Sequence, residues 1–133
     1  MALDPINVDR SLPLGKLQEE VHEWIKNHGV RYFNELTNMA QLTEEVGEVA
    51  RIIARRYGEQ SEKESDQSKD LGEELSDAMF VIICLANQTG TDLQVAFDKK
   101  MKVKRDRDHE RHLRKTPKGS TRVDKESWRT LLQ

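Results

Sequence analysis

The chain has 133 residues, 35% of them apolar and 35% charged, which suits one domain and excludes two full-sized ones. Leu, Ile, Val and Phe together make up 31 of the 133 residues, just above the range of wholly disordered chains. So few apolar residues can form only a small core. A small core favours amphipathic helices whose apolar faces are covered by subunit association, and disfavours a sandwich or barrel. We therefore expect a helical protein that associates into oligomers.

The single cysteine, Cys84, lies within an apolar run from Met79 to Ala86. One cysteine allows neither an intrachain disulfide nor a cysteine-ligated zinc site, and it suits a reducing compartment. No stretch approaches the roughly 18 consecutive apolar residues of a membrane span, and residues 1–12 lack the order of a signal peptide. The sequence therefore predicts a cytoplasmic protein without a membrane partner.

Charge is unevenly distributed along the chain. The formal net charge is -2, but residues 1–100 carry -8 and residues 101–133 carry +6. A basic tail can bind nucleic acid, bind a triphosphate or remain solvated, and the last is commonest for polar tails. Nucleic acid is therefore not the partner we expect.

The first predicted elements are an arm and a helix. Residues 1–13 contain Pro5 and Pro13 without a sustained hydrophobic period, which indicates an irregular arm. From Leu14, apolar residues recur at steps of three and four until Asn27 to Gly29. This pattern predicts a first helix.

Two longer helices follow. Apolar residues recur from Leu36 to Ile53 before Gly58, and again from Leu71 to Ala86, the most apolar stretch of the chain. Gly90 supplies the stop signal after the second run. Residues 59–68 contain no apolar residue, so they should form an exposed connection.

The pattern of the fourth helix changes along its length. Leu93, Ala96, Phe97 and Met101 define an apolar stripe, and the continuation to Arg114 is almost wholly charged. Pro117 and Gly119 then interrupt the helical pattern. We predict a domain over residues 14–113 and a basic tail over residues 114–133.

Four carboxylates lie at unusual positions on the second and third helices. At about 100° per residue, Glu45 falls within the apolar stripe of its helix and Glu74 within that of the next. Glu48 and Asp77 each follow three residues later, at the edge of the same stripe. If the two stripes pack together, all four carboxylates converge.

Convergent carboxylates require a positive partner, because burying an unpaired carboxylate costs several kcal/mol or more. Oxygen ligands without His or Cys favour a hard cation such as Mg²⁺ or Mn²⁺, whose coordination is often completed by substrate phosphates. Two alternatives remain: the acids pair with Lys or Arg, or one helix is rotated so that its acids face water.

The strings LTEEVGEVA at 42–50 and EELSDAMF at 73–80 resemble the E-E-x-x-E and E-x-x-D signature of MazG-like nucleotide pyrophosphohydrolases. Trp24 before the first motif, the run LANQTG at 85–90, and Lys100 with Met101 agree with this resemblance, which covers about residues 14–107. Residues 108–133 match nothing in the family pattern.

The resemblance implies an all-α, four-helix, MazG-type fold that assembles as homodimers or homotetramers, binds Mg²⁺ and hydrolyses nucleoside triphosphates to monophosphate and pyrophosphate. The leading hypothesis is an enzyme that thereby removes non-standard or excess nucleotides. It also implies that the metal ligands are Glu45, Glu48, Glu74 and Asp77. Glu44 matches the first acid of the motif, and Glu44 or Glu48 could accept the proton from the attacking water.

Substrate contacts are less sharply specified. Lys100, Lys104 and Arg105 could hold the phosphates, although a solvated helix end is an equal alternative. Base recognition needs aromatic or amide groups, and the available residues of these types are Trp24, Phe33, Asn38 and Asn87. Trp24 is the first choice, although a structural position in the core is an equal alternative for it, and Asn87 is a further candidate.

A second hypothesis assigns the chain to another functional class. The chain could be a non-catalytic helical interaction module, with a structural cation site and a basic tail that contacts nucleic acid. Such binding would weaken steeply with salt, whereas an enzyme would lose turnover when its carboxylates are replaced.

Overall fold

The computed structural model describes residues 13–115, without the side chains of Asp66, His112 and Lys115. This range contains helices and turns but no strand. The four α-helices are α1 (Leu14–Trp24), α2 (Glu35–Arg56), α3 (Leu71–Gln88) and α4 (Leu93–Lys115). The all-α, four-helix prediction is confirmed, while nearly all of the predicted arm and tail lies outside the described range.

Residues 13–94 form one compact unit, and residues 95–115 belong to a second. In the first unit, α3 packs against both α1 and α2. Its core is small, as the composition predicts, and is drawn mostly from α3. The buried apolar residues are Ile25, Ile52, Ala78, Val81, Ile83, Cys84 and Ala86.

Side-chain caps begin α2 and α3. The Asn34 side chain accepts a hydrogen bond of 2.8 Å from the backbone N–H of Thr37, and the Asp70 side chain accepts one of 2.8 Å from Gly72. Both side chains satisfy amide donors that have no partner within the helix. These caps fix where the two carboxylate-bearing helices start.

The end of α3 is set by a glycine in the left-handed conformation. Gly90 has φ of +67°, and the Thr91 N–H donates to the carbonyl of Ala86 at 2.8 Å. This 6→1 bond is the Schellman arrangement, which glycine adopts without a steric penalty. The stop signal that the sequence predicts at Gly90 is confirmed.

The junction after α1 departs from a regular helix. Ile25–Gly29 continues α1 as a π-helical turn, and Val30 follows with φ of 70°. A β-branched residue rarely adopts positive φ. The widened turn buries Ile25 and brings the chain towards the aromatic residues before α2.

Polar bonds attach α1 to the end of α3. The Gln18 amide donates to Asn87 Oδ1 at 3.0 Å and to the Thr91 carbonyl at 2.8 Å, while its oxygen accepts from the Leu93 N–H at 2.8 Å. The Asn87 amide donates to the Gln18 carbonyl at 3.0 Å and to the Tyr32 hydroxyl at 3.1 Å. These hydrogen bonds help to hold α1 in place and so compensate for the small apolar area that it can bury.

The connection between α2 and α3 is polar and mostly exposed, with a single 3₁₀ turn at Glu64–Asp66. Arg56 contacts it at two points: its Nε lies 3.2 Å from Glu62, and its guanidinium donates to the carbonyl of Lys69. The predicted exposed connection is therefore anchored to the end of α2.

The second unit consists, where described, of most of α4. Ion pairs lie along its surface, with Arg107 at 3.0 Å and Arg111 at 3.4 Å from Asp108. Val95, Phe97 and Val103 remain about half exposed or more in the single chain. Among residues 13–115, no helix combines the length and apolarity needed to cross a membrane.

Candidate metal centre

Three of the predicted carboxylates meet between α2 and α3. Glu45 of α2 and Glu74 and Asp77 of α3 each offer one oxygen, and these oxygens lie within 4.8 Å of one another. Glu45 and Glu74 are partly buried and Asp77 is exposed, so the group lies at the edge of the core. The proximity expected from the helical periodicity is present for these three.

Burial and neighbouring negative charges both act on the carboxyl group of Glu45. Its pKa is raised above the ordinary value of 4.5, first by lost hydration and then by the charges of Asp77 and Glu74, with smaller contributions from Glu44 and Glu48. A bound cation would reverse this balance because it stabilises the ionised carboxylates. The electrostatics therefore suit a positively charged ligand.

The fourth predicted ligand has a different partner. Oε2 of Glu48 lies 3.2 Å from Nζ of Lys69, which belongs to the connection before α3. Both side chains are moderately exposed, at 41% for Glu48 and 36% for Lys69. The three-carboxylate group therefore does not include Glu48, which lies one turn along α2 from Glu45 and pairs with Lys69 instead.

The donor set fits a hard divalent cation. All donors are carboxylate oxygens, and the group includes no His or Cys, which suits Mg²⁺ or Mn²⁺. An exposed edge also leaves room for water or phosphate oxygens. Glu44, the remaining acid of the motif, is exposed on α2.

A cavity of about 180 Å³ lies in the same unit, where the end of α1, the start of α2 and the middle of α3 meet. Gln41 lines it one helical turn before Glu45, and Val81 lines it one turn after Asp77. Trp24 and Phe80 form part of its wall and pack edge to face, with ring centroids 5.7 Å apart. An aromatic cavity therefore adjoins the carboxylate group along both helices.

The other predicted contact residues lie elsewhere. Asn87 is engaged with Gln18 and Tyr32 and is not among the residues that line this cavity. Lys100, Lys104 and Arg105 are exposed on α4, in the second unit. The first unit by itself brings together the carboxylates and Trp24.

The sequence did not predict the positions of three polar residues near the site. Lys69 lies in a stretch with no periodic pattern, so nothing predicted its pairing with Glu48. Gln41 and Gln88 line or support the cavity, but a glutamine on a helix has no distinctive spacing. Their positions become meaningful only once the packing of α1, α2 and α3 is known.

The fold and the carboxylate group together define a class: all-α proteins in which two packed helices offer oxygen ligands for a hard cation. The profile of the MazG nucleotide pyrophosphohydrolase domain matches residues 33–112, a range that contains all five acids of the two motifs and extends five residues beyond the end of the expected resemblance at 107. The chain belongs to the MazG nucleotide pyrophosphohydrolase family, as the resemblance indicated, and is therefore placed among the hydrolases.

Relatives support this placement. An uncharacterized Bacillus subtilis protein, YpjD, is 41% identical over 99 residues, 74% of this chain and 89% of its own length. The crystal structure of YpjD, a candidate pyrophosphatase, aligns with TM-score 0.60 and 40% identity over 70% of this chain and 91% of that one. The Bacillus-conserved MazG protein, a nucleotide pyrophosphohydrolase, aligns with TM-score 0.54 and 40% identity over 65% and 82%.

Proposed function

We propose that the protein hydrolyses nucleoside or deoxynucleoside triphosphates to monophosphate and pyrophosphate with Mg²⁺, or Mn²⁺ in its place, and so clears non-standard or excess nucleotides. The observation that carries the proposal is the convergence of Glu45, Glu74 and Asp77 within 4.8 Å. Family membership supports the pyrophosphohydrolase chemistry, and the all-carboxylate donor set supports the metal.

Each motif acid has a proposed role. Glu45, Glu74 and Asp77 would hold the cation, and Glu48 would become a fourth ligand once Lys69 releases it. A bound cation would supply neutralisation of the phosphate charge and an activated water for attack on the α-phosphorus, from which pyrophosphate leaves. Glu44, exposed beside Glu45, or Glu48 accepts the proton of that water.

The substrate is held by groups outside the motifs. Trp24 offers an aromatic surface to the base in the cavity that adjoins the carboxylates. Lys100, Lys104 and Arg105 supply positive charge for the triphosphate, which Mg²⁺ alone does not neutralise. Asn87 donates a hydrogen bond to Tyr32, which lines the cavity. Through this bond Asn87 acts on the substrate site without lining it.

Subunit association completes the proposed enzyme. α2 exposes an apolar series in the single chain, with Leu36 at 84% and Val46 at 53% exposed, and α3 exposes Leu75 at 52%. Large exposed apolar residues in series typically mark an interface. We propose a homodimer or homotetramer in the cytoplasm, and light scattering after size-exclusion chromatography measures the assembly.

The decisive experiment identifies the products. The protein is incubated with Mg²⁺ and each common or damaged nucleoside triphosphate, and the phosphorus-containing products are separated. Monophosphate with pyrophosphate is expected for wild type, whereas Asp77→Asn is expected to lose turnover and remain folded. Glu73→Gln, an exposed acid on the same helix, is the matched control and should stay active.

Other products would change the conclusion. Diphosphate with orthophosphate would show attack at a different phosphorus and overturn the proposed reaction. Turnover that survives both Glu45→Gln and Asp77→Asn would overturn the ligand assignment. Absence of turnover on every substrate, with metal binding demonstrated, would favour the helical interaction module.

A further inference from the structure

One polar side chain in the cavity wall is almost completely buried. Asn38 of α2 is 4% exposed and is the one buried polar side chain among the described residues. Its amide Nδ2 donates to Gln88 Oε1 at 2.7 Å and lies 3.5 Å from the carbonyl oxygen of Phe33. Its oxygen, Oδ1, has no hydrogen-bond partner among residues 13–115.

The orientation of this amide follows from its neighbours. The carbonyl of Phe33 can only accept, so Gln88 must direct its NH₂ group to that carbonyl, as observed. Gln88 Oε1 is then left to accept from Asn38 Nδ2. A flipped Asn38 would place its oxygen against two acceptors, and therefore Oδ1 is fixed as the free acceptor.

A buried acceptor without a partner is costly and calls for a donor from outside the chain. Asn38 lines the cavity beside Trp24, Phe33 and Phe80, so a ligand there meets aromatic rings and the unpaired acceptor of Asn38. Asn38 precedes Glu45 by seven residues, about 10 Å along the helix axis at 1.5 Å per residue. A nucleotide can span the cavity and the carboxylate group.

The size of the cavity narrows the ligand further. Its volume is about 180 Å³, and a cavity of about 150 Å³ holds one benzene ring. The space suits a single six-membered ring better than the fused rings of a purine.

We infer that Asn38 determines base specificity: its Oδ1 accepts a hydrogen bond from an N–H on the Watson–Crick edge of a pyrimidine, and Gln88 holds the amide in that orientation. The inference rests on the proposed function, whose substrate class it narrows. Cytosine offers the exocyclic amine as donor, and uracil offers N3–H.

The kinetic test removes the donor from the base. For the faster of CTP and UTP, kcat/KM is compared with that of the 2-pyrimidinone or N3-methyluracil analogue, and with ATP and GTP. Wild type should prefer the pyrimidine over both purines, and loss of the donor should lower kcat/KM roughly tenfold to a hundredfold. Asn38→Leu should remove that difference, and Gln88→Leu should reduce it because the Asn38 amide can then rotate.

Asn27→Leu, at an exposed position after α1, is the matched control and should keep wild-type discrimination. Equal turnover of purines and pyrimidines, or donor discrimination that survives Asn38→Leu, would overturn the inference and leave the proposed reaction standing. The discrimination ratio is the informative quantity, because a merely destabilised variant loses activity on both members of a substrate pair.

A binding test is independent of turnover. In a Trp128→Phe background, Trp24 is the remaining tryptophan of two and lies in the cavity wall, so its fluorescence reports occupancy. Without metal, cytidine or uridine should quench it more strongly than adenosine, and Asn38→Leu should abolish the difference. Nucleoside binding of this kind without hydrolysis would reject the proposed reaction and keep the base site, whereas no response to any nucleoside would reject the base site.

Discussion

Lys69 and Glu48 are bound to each other at 3.2 Å, one helical turn from Glu45. The pair gives Glu48 a protein cation in place of a metal, while the neighbouring acids Glu45, Glu74 and Asp77 repel one another. Lys69 also lies at the point where Arg56 holds the connection to α2. Lys69 thus gives Glu48, the fourth predicted ligand, a cationic partner from a connection that has no periodic pattern.

We expect Lys69→Met to strengthen Mg²⁺ binding, because Glu48 no longer has to exchange an ammonium group for the metal. The melting temperature should begin to rise at a severalfold lower Mg²⁺ concentration than in wild type, since a ligand that binds the folded state stabilises it by mass action. Differential scanning fluorimetry over a Mg²⁺ titration measures this shift.

Lys63→Met is the control, because Lys63 is exposed in the same connection and its loss changes the net charge equally. An equal shift in both variants would assign the effect to general electrostatics. An unchanged midpoint in Lys69→Met would show that Glu48 does not join the metal.

The raised pKa of Glu45 predicts the pH dependence of the metal-free protein. A folded pKa above the unfolded value means that the folded state binds the proton more tightly, so stability falls as pH rises through the window above 4.5. Glu45→Gln removes this charge. In buffer with chelator at neutral pH, the variant should therefore melt above wild type.

Saturating Mg²⁺ should reverse that order. Wild type gains roughly 2.7 kcal/mol at a hundredfold excess of metal over Kd, and Glu45→Gln gains less because it has lost a ligand. Melting curves at several pH values, with and without Mg²⁺, measure both effects. A variant that is less stable than wild type without metal would contradict the repulsion at this group.

The sequence predicted the helices and the carboxylate group well, because both depend on short-range periodicity. Glu45 and Glu74 interrupt apolar stripes at a fixed helical spacing, so their inward position can be read before any packing is known. The end of α3 at Gly90 could also be predicted, because glycine after an apolar run is a typical signal for the end of a helix.

The remaining features depend on contacts distant in sequence. Lys69 reaches Glu48 across 21 residues and Asn38 reaches Gln88 across 50. No periodicity encodes either pair. The π turn at Ile25–Gly29 could not be predicted from the hydrophobic pattern either. The turn shifts side chains at the end of α1 but leaves the pattern of apolar residues uninterrupted.

Gln18 is predicted to contribute to stability through its bonds to Asn87, Thr91 and Leu93. Gln18→Ala should lower the free energy of unfolding by about 1–3 kcal/mol, because partly buried donors and acceptors lose their partners. Urea denaturation followed by circular dichroism measures the change. Glu23→Ala, on an exposed position of α1, should change stability by less than about 0.5 kcal/mol.

Ile52 and Ile53 are adjacent in α2 but differ sharply in burial, at 2% and 41% exposed. Ile52→Ala should cost about 2–5 kcal/mol, since it leaves a cavity between α2 and the core. In a single chain Ile53→Ala should cost much less. The two variants are compared by urea denaturation at low protein concentration, where subunits separate, and again at high concentration.

The concentration dependence distinguishes core from interface. If Ile53 belongs to the proposed subunit contact, Ile53→Ala should become more destabilising as the protein concentration rises, because assembly stabilises wild type by mass action. The cost of Ile52→Ala should remain nearly constant, since that side chain is already buried within one chain. Equal losses for both variants at low concentration would contradict the burial difference, and a loss for Ile53→Ala that is independent of concentration would remove Ile53 from the interface.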